Sequence, residues 1–263
     1  MSSRLRVDPL LRRRSLDEPE LMDDPDCDPV ALARTYRLFA VINPLVSGWR
    51  GLYRRRLRAE LVRAVEQRGQ ASVLDLGCGG GDVARWLAAR AHRDGLLVTV
   101  TGIDPDPRAH AFATRRPGRR RAGRCRGVRR PGPRRAEAPE AGFECAASGD
   151  LVAQGRSFDV VVSNHVLHHL DDDAVRELLA DTRALCRGVA VHNDLSRSRA
   201  AWAAWWILTL PLARTRTFVR FDGLLSIRRS RTVAELAALP EVTDEGWRAQ
   251  RHGLFRTALV RRS

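Results

Sequence analysis

The sequence predicts an α/β fold with a mostly parallel sheet. Two observations support this prediction: apolar segments of strand length alternate with amphipathic segments of helix length, and the first apolar segment runs into a glycine-rich turn. Hydrophobic residues make up 44% of the 263 residues, so the chain can bury a core, which argues against wholesale disorder. In parallel β-α units ligands bind beyond the carboxyl ends of the strands, so a site is expected there.

The elements can be placed in order along the chain. Residues 1–29 are polar and contain four prolines, and we expect them to form a flexible arm. Amphipathic patterns then predict two helices, with a break possible at Pro44 in the first, and together they form an N-terminal helical cap over residues 30–68. Strands are predicted at residues 72–76, 96–103, 143–146, 158–163 and 189–192, and helices at 82–91 and 172–186.

The chain after the fifth predicted strand contains an apolar stretch with three tryptophans, which we expect to be a lid helix within residues 197–214. Its longest apolar run, residues 201–212 broken only by Thr209, is too short to span a bilayer. A capping box at Thr232 predicts a further short helix, and residues 247–251 and 254–260 could form an antiparallel pair. Residues 69–263 are therefore predicted to form one domain.

One segment carries most of the net positive charge. The formal net charge is +15, and all 46 basic residues are arginine. Residues 115–135 hold eleven arginines and no acid, which leaves only +4 for the rest of the chain. The segment has no helical or strand period, and three interpretations stay open: a disordered insertion, which the composition favours, an arm that binds nucleic acid or an acidic partner, or a locally frame-shifted stretch. Outside this segment the charge gives no reason to expect nucleic-acid binding.

The cysteines and the first residues of the chain indicate in which cellular compartment the protein is expected. Five cysteines occur at positions 27, 78, 125, 145 and 186, without C-x-x-C spacing. This pattern argues against a zinc site and a disulfide framework and fits a reducing environment. The first 30 residues are charged and lack the apolar core of an ordinary signal peptide. We therefore expect a cytoplasmic protein without a membrane span.

The strongest signal for a site is residues 73–82, Val-Leu-Asp-Leu-Gly-Cys-Gly-Gly-Gly-Asp. Glycines let the backbone turn tightly and let a ligand approach without a Cβ in the way. Asp104 closes the second predicted strand, where a carboxylate can accept both ribose hydroxyls of a nucleoside. Residues 79–84 also satisfy the G-x-G-x-x-A pattern of dinucleotide sites, but Asp75 before the glycines would repel a pyrophosphate.

At these residues the sequence resembles the class I S-adenosylmethionine-dependent methyltransferases. The matching elements, in order over residues 71–194, are Asp75-x-Gly77-x-Gly79-x-Gly81, Asp104, residues 158–164 (Phe-Asp-Val-Val-Val-Ser-Asn) and residues 165–170 (His-Val-Leu-His-His-Leu). The resemblance implies S-adenosylmethionine as cofactor and a Rossmann-like seven-stranded sheet, mostly parallel with the last strand antiparallel. It implies that residues 69–263 are the methyltransferase domain.

A second resemblance concerns the substrate. Tyr36-x-x-Phe39-x-x-x-Asn43 and Leu225-Ser226-Ile227 are similar to the quinone-biosynthesis methyltransferases of the ubiquinone and menaquinone type. This similarity implies a small apolar aromatic substrate, a phenol or quinone-like metabolite, and O-methylation. The N-terminal helices and the tryptophan-rich stretch would then cover the substrate.

The family pattern carries over residue by residue. Asp75, Gly77 and Gly79 would approach the methionine part of the cofactor, and Asp104 would bind its ribose. Pro105 would flank the adenine, with Ile103 as the other candidate, and Asp150 would meet the adenine amino group, although the Arg-rich stretch replaces the usual family sequence before it. Asn164 and His165 would line the methyl-transfer face. The predicted cofactor-binding residues are therefore Asp75, Gly77, Cys78, Gly79, Gly81, Asp104, Pro105, Asp150 and Asn164.

A neutral base near the methyl group would speed attack by a phenol, whose pKa is about 10 by analogy with tyrosine. His165 ends the fourth predicted strand and His192 the fifth, so one of them is the predicted catalytic base, with Asp194 as an orienting carboxylate. His168 and His169 lie about one turn further on. Because no H-E-x-x-H motif is present and no carboxylate is suitably spaced, the histidines do not predict a metal site.

Other functions stay open at this stage. Within the fold, the Arg-rich segment could guide an RNA or protein methyltransferase. The glycine pattern could instead serve a nicotinamide-nucleotide-dependent oxidoreductase, and a catalytically inactive binding module is a further alternative. We expect a small-molecule substrate rather than a nucleic acid, and the sequence leaves the oligomeric state open.

Overall fold

The computed structural model describes residues 11–16, 18–115 and 141–263, and these contain a single seven-stranded sheet with the order β3-β2-β1-β4-β5-β7-β6. Strands β1 to β5 pair in parallel, whereas β7 is antiparallel to both of its neighbours. The predicted Rossmann-like fold with an antiparallel last strand is therefore confirmed. The strands are β1 Ala71–Leu76, β2 Val98–Asp104, β3 Gly142–Cys145, β4 Phe158–Asn164, β5 Cys186–Leu195, β6 Arg248–Arg251 and β7 Arg256–Arg262.

Helices cover both faces of the sheet and its carboxyl edge. They are α1 Pro29–Val46, α2 Trp49–Leu52, a π-helical turn Tyr53–Leu57, α3 Arg58–Arg68, α4 Asp82–Arg93, α5 Pro107–Thr114, α6 Ser148–Ala153, α7 Asp172–Leu185, α8 Arg199–Leu208, a 3-10 turn Leu210–Leu212, α9 Val219–Arg229, α10 Val233–Ala237 and α11 Pro240–Asp244. Helix α1 continues for only two residues beyond Pro44, so the proline lies in its last turn. Helices α5, α6, α9 and α11 were not predicted.

The alternation of side chains along the strands builds two cores. On one face, Val73, Val160 and Val191 pack with residues of α2, α3 and α4. On the other face, Leu74, Val161 and other residues pack with α7 and α10. Both faces are buried, which explains why the strands are nearly continuous apolar runs in the sequence. Polar residues at the strand ends therefore gather at the carboxyl edge.

Residues 11–16 and 18–28 belong to the expected flexible arm, and they pack on the domain through polar contacts. We call residues 18–28 the strap. The backbone N–H groups of Leu21 and Met22 donate to the carboxylate of Asp222 at 2.8 and 3.1 Å. Glu20 is only 2% exposed and accepts a hydrogen bond from Ser226 at 2.8 Å. Contacts of this kind leave no periodic apolar pattern, so the sequence did not predict them.

The tryptophan-rich stretch forms α8, which packs on α9. The indole of Trp205 donates to the carbonyl of Val219 at 3.3 Å and lies where a Cβ on Gly223 would be. Among the described residues, no helix is long and apolar enough to cross a membrane. Of the Arg-rich segment 115–135, residues 116–135 lie outside the described residues.

Candidate functional site

A cavity of about 420 Å³ lies at the carboxyl ends of β1, β2 and β4. We call it the first cavity. Its wall brings together seven of the nine predicted cofactor-binding residues, and the strap closes one side through Glu20, Met22 and Asp23. The seven are Asp75, Gly77, Cys78, Gly79, Asp104, Pro105 and Asn164.

The turn after β1 requires glycine for steric reasons. Gly77 has φ +61°, and a Cβ there would lie 2.6 Å from Val166. Gly81 has φ +76° and begins α4, where a Cβ would meet the ring of Phe143 at 2.5 Å. Gly81 therefore shapes the turn and does not line the first cavity.

Asp75 is a buried acid without a side-chain partner. Its side chain is 1% exposed, and neither carboxyl oxygen makes a hydrogen bond of standard geometry, although the backbone N–H of Ala84 lies near enough to lower its pKa. Burial, together with the nearby carboxylate of Asp82, raises the pKa of Asp75 well above its usual value. Asp82 itself is bonded to Asn43 of α1 at 2.8 Å. Because an unpaired buried carboxyl group is costly, Asp75 suits a ligand group that is cationic or donates hydrogen bonds.

Asp104 is held in one orientation by the backbone. Its two carboxylate oxygens accept from the N–H groups of Gly79 at 2.8 Å and Asp106 at 2.9 Å. Each oxygen keeps a second lone pair for a ligand hydroxyl. Helix α5 is capped by Asp106, which accepts from the N–H of Arg108 at 2.7 Å, so Asp104 is not needed as a cap.

Asn164 is positioned by two donors. Its Oδ1 accepts from Nε1 of Trp49 at 3.1 Å and from Nδ2 of Asn193 at 3.0 Å. The oxygen is thereby satisfied, and among the described residues the amide nitrogen makes no side-chain hydrogen bond. That nitrogen can therefore donate to a molecule in the first cavity.

Two of the predicted site residues, Asp150 and His192, do not line the first cavity. Asp150 is exposed and accepts from the N–H of Ala147 at 2.9 Å, within the first turn of its own helix. His192 is fully buried beside Trp247, with a ring distance of 5.2 Å, and bonds to Ser163 at 2.8 Å. Burial lowers the pKa of His192 to about 4.

His165 lines the cavity but is unsuited to the predicted role of base. It has φ +64°, and its Nε2 lies 2.7 Å from Nη1 of Arg256. A guanidinium group can only donate, so Nε2 accepts and its lone pair is occupied. Burial and the charge of Arg256 hold the pKa of His165 well below its ordinary value. The ring is therefore neutral, and these surroundings disfavour the predicted role of base.

The carboxylate Asp194 orients His168 instead. Nδ1 of His168 lies 2.7 Å from Asp194 Oδ1, and Nε2 lies 3.4 Å from Oε1 of Glu20. Burial alone would lower the pKa of His168, but the charge of Asp194 and hydrogen bonds to both acids raise it to about 10. His168 is thus charged at neutral pH. No sequence pattern reveals this cluster, because Glu20 carries no motif and lies far from His168 in the chain.

Glu20, His168 and His169 also place three ligand atoms within 4.8 Å of one another. His169 lies 3.2 Å from Asp23 through Nδ1 and 3.9 Å from Glu20 through Nε2. Both ring nitrogens of His168 face carboxylates, at 2.7 Å from Asp194 and 3.4 Å from Glu20, which favours the protonated ring. We therefore describe the group as an ion-pair cluster that fixes the strap to the edge of the sheet.

A second cavity of about 480 Å³ adjoins the first. The two share Phe39, Asn43, His165 and Ser226 in their walls. Most of the second cavity is apolar, with α8 and α9 forming one side and the segment before β7 another. Its wall includes Leu45, Trp205, Leu208, Ile227, Phe255 and one cation, Arg256.

Comparisons with known proteins bear on the family and the fold. A family model described as a methyltransferase domain matches residues 49–237. The fold is similar to the plantazolicin methyltransferase BpumL in complex with SAH, with a TM-score of 0.53 and 14% identity over 89% of this chain and 95% of that chain. It is also similar to human N-acetylserotonin methyltransferase in complex with SAM, with a TM-score of 0.50 and 13% identity over 90% of this chain and 56% of that chain. A search of curated proteins gave no match.

Proposed function

The chain belongs to the methyltransferase-domain family and is an S-adenosylmethionine-dependent methyltransferase, and we propose that it methylates a hydroxyl group of a small apolar aromatic molecule. The observation that carries the proposal is the junction of two unlike cavities. The first cavity has acids at the positions that the family pattern assigns to the cofactor, and the second is apolar. A phenol or quinone precursor has the size and polarity for the second cavity.

The residues of the first cavity fit the cofactor. The unpaired carboxyl group of Asp75 suits an amino group, and the oriented carboxylate of Asp104 suits the ribose hydroxyls. Pro105 and Cys78 offer apolar contact to a base. When bound, S-adenosylmethionine supplies an electrophilic methyl group on a sulfonium centre. The chain therefore has to hold that group in line with the substrate oxygen.

The protein promotes transfer by positioning and by excluding water. Phe39, Trp205 and Ile227 in the wall of the second cavity remove the substrate ring from solvent. Asn43 and His165 stand between the two cavities, where a reacting oxygen would meet the methyl group. Alignment of this kind accounts for a large share of the rate enhancement of a bimolecular displacement.

The surroundings of the two predicted bases do not favour base catalysis. His165 accepts a hydrogen bond from Arg256, and His192 lines neither cavity. His168, which was not a predicted base, lies between two carboxylates that favour its protonated form. The described residues therefore favour a mechanism in which the substrate oxygen reacts after it has lost its proton to water. A substrate hydroxyl of low pKa suits this mechanism better than an aliphatic alcohol.

The test is methyl transfer to a panel of small phenols and hydroxyquinones. Transfer is measured as release of S-adenosylhomocysteine and as the increase in mass of the product. We expect transfer to at least one phenol and none to the matched methyl ethers, which lack the nucleophile. Transfer to RNA or to a peptide, with every phenol inert, would replace this proposal with the corresponding macromolecular one. The nicotinamide alternative is not retained, because the family match assigns the domain to methyltransferases.

A further inference from the structure

Arg256 is a buried cation without a counter-ion in the mostly apolar second cavity. It begins β7 and is 3% exposed. Its Nε donates to the carbonyl of Val46 at 2.9 Å, and its Nη1 donates to the neutral ring of His165 at 2.7 Å. Among the described residues, no carboxylate lies within ion-pair distance of Arg256, and none accepts a hydrogen bond from Nη2. One side of the guanidinium is therefore free to bond to a molecule in the cavity.

The other buried arginines are satisfied differently. Arg197 pairs with Glu235, Arg231 pairs with Asp172, and Arg229 donates to the carbonyls of residues 18, 168 and 169. Asp194 is near enough to Arg256 to influence its charge, but its carboxylate is already bonded to His168. Burial lowers the pKa of Arg256 only to about 10, so the guanidinium is charged at neutral pH. A buried unpaired charge is costly, which favours an anionic ligand beside it.

We propose that Arg256 recognises an anionic oxygen, a phenolate or a carboxylate, on an otherwise apolar substrate in the second cavity. The proposal deepens the proposed function. The transfer step rests on that function, whereas binding of the anion does not. Because His165 touches Arg256 and lines both cavities, the anion would lie at the junction.

The transfer step balances without a protein base. The proton is lost to water when the anion forms. The anionic oxygen then attacks the methyl carbon, the new C–O bond replaces the C–S bond, and the electron pair of the C–S bond stays on sulfur. The negative oxygen and the positive sulfonium both become neutral, so no proton has to move in the reacting complex. An arginine that stabilises the anion thereby takes the place of the missing base.

The test uses the protein loaded with S-adenosylhomocysteine, so that binding is measured without turnover. The probes are two matched pairs: 4-nitrophenol with the neutral 4-nitroanisole, and 4-phenylbutyrate with the neutral 4-phenylbutyramide. We expect the wild-type protein to prefer one anion to its neutral partner and, for 4-nitrophenol, to shift the absorbance titration of the bound phenol to lower pH. The preferred pair tells whether the anion is a phenolate or a carboxylate.

The variants separate recognition from folding. Arg256→Gln should lose on the order of 100-fold in affinity for the preferred anion while its affinity for the neutral partner changes little, and Arg256→Lys should lose less. Arg251→Gln, on the neighbouring strand and exposed, makes the same change in net charge and should bind as wild type. Calorimetry of S-adenosylmethionine binding shows whether each variant is folded.

Two outcomes would overturn the proposal. One is a wild-type protein that binds neither anion better than its neutral partner, which needs no variant to establish. The other is an Arg256→Gln variant that keeps the preference for the anion. If the anion binds through Arg256 but no phenol is ever methylated, the binding site stands and the proposed substrate class is wrong, so the two failures are distinguishable.

Discussion

The first cavity and the second cavity are built in opposite ways. Asp75, the glycine turn and Asp104 come from two consecutive strands, within residues 75–104. The wall of the second cavity comes from α1, α8, α9 and the segment before β7, which are distant in the chain. The charges differ as well. In the first cavity the buried carboxyl group of Asp75 has no cationic partner, and in the second the guanidinium of Arg256 has no acidic partner among the described residues.

This difference indicates what each cavity binds. An unpaired buried acid suits a ligand with a donor or a positive charge, and an unpaired buried cation suits an anion. The ligands that we propose for the two cavities carry opposite charges. At the edge of the first cavity, His168 pairs with both Glu20 and Asp194, and we infer that this cluster serves the structure of the edge. Three experiments test this division, from the largest expected effect to the smallest.

The largest effect should come from His168→Leu. The substitution leaves the buried acids Glu20 and Asp194 without their cation, which costs about 3–5 kcal/mol in the free energy of unfolding. Denaturant unfolding measures the loss. His169→Leu is the matched control, because that ring is 29% exposed and its removal should cost much less. Equal losses for the two variants would show that the cluster does not depend on His168.

Asp104→Ala should weaken the binding of S-adenosylmethionine by about 1.5–3 kcal/mol, roughly 10- to 150-fold in affinity. The reason is the loss of a charged acceptor for two ribose hydroxyls. Calorimetry gives the change. Asp150→Ala removes an acid of the same size outside the cavity and should leave the affinity unchanged. The anion probes of the second cavity should bind Asp104→Ala normally. A coupled loss at both cavities would contradict their separation.

The smallest effect should be a loss of stability as the pH rises. The folded-state pKa of His168, about 10, lies above its ordinary value of 6.5, so the folded protein keeps a proton that the unfolded chain releases. The stabilisation is therefore complete below pH 6.5 and is lost as the pH approaches 10. Raising the pH from 7 to 8 should therefore lower the free energy of unfolding by about 1 kcal/mol through His168. A wild-type protein with the same slope as His168→Leu would refute the assignment.

The fold and the first cavity could largely be predicted from the sequence, because their signals are local. A strand that ends in Asp75 and runs into glycines occupies a few consecutive residues, and strand pairing brings Asp104 beside it. The place of Asp150 could not be predicted, because the residues before it have no pattern that fixes their position. Its side chain accepts from the backbone N–H of Ala147 at the start of its own helix.

The second cavity and the ion-pair cluster could not be predicted in this way. His192 and His165 both follow apolar strand residues, and the sequence does not show that one packs under Trp247 while the other meets Arg256. Glu20 lies in a stretch with no periodicity, and only its tertiary contacts give it a role. Contacts between distant segments depend on the whole fold, which a single sequence does not encode locally.

The position of β7 between β5 and β6 has a consequence for biosynthesis. A growing chain folds from its amino end, and the strands that carry the first cavity are complete once residue 164 has been made. Arg256 is made about ninety residues later, on a strand that must enter the sheet between two others. A nascent chain can thus assemble the strands that carry the first cavity early, whereas the proposed anion contact at Arg256 waits for the last strand.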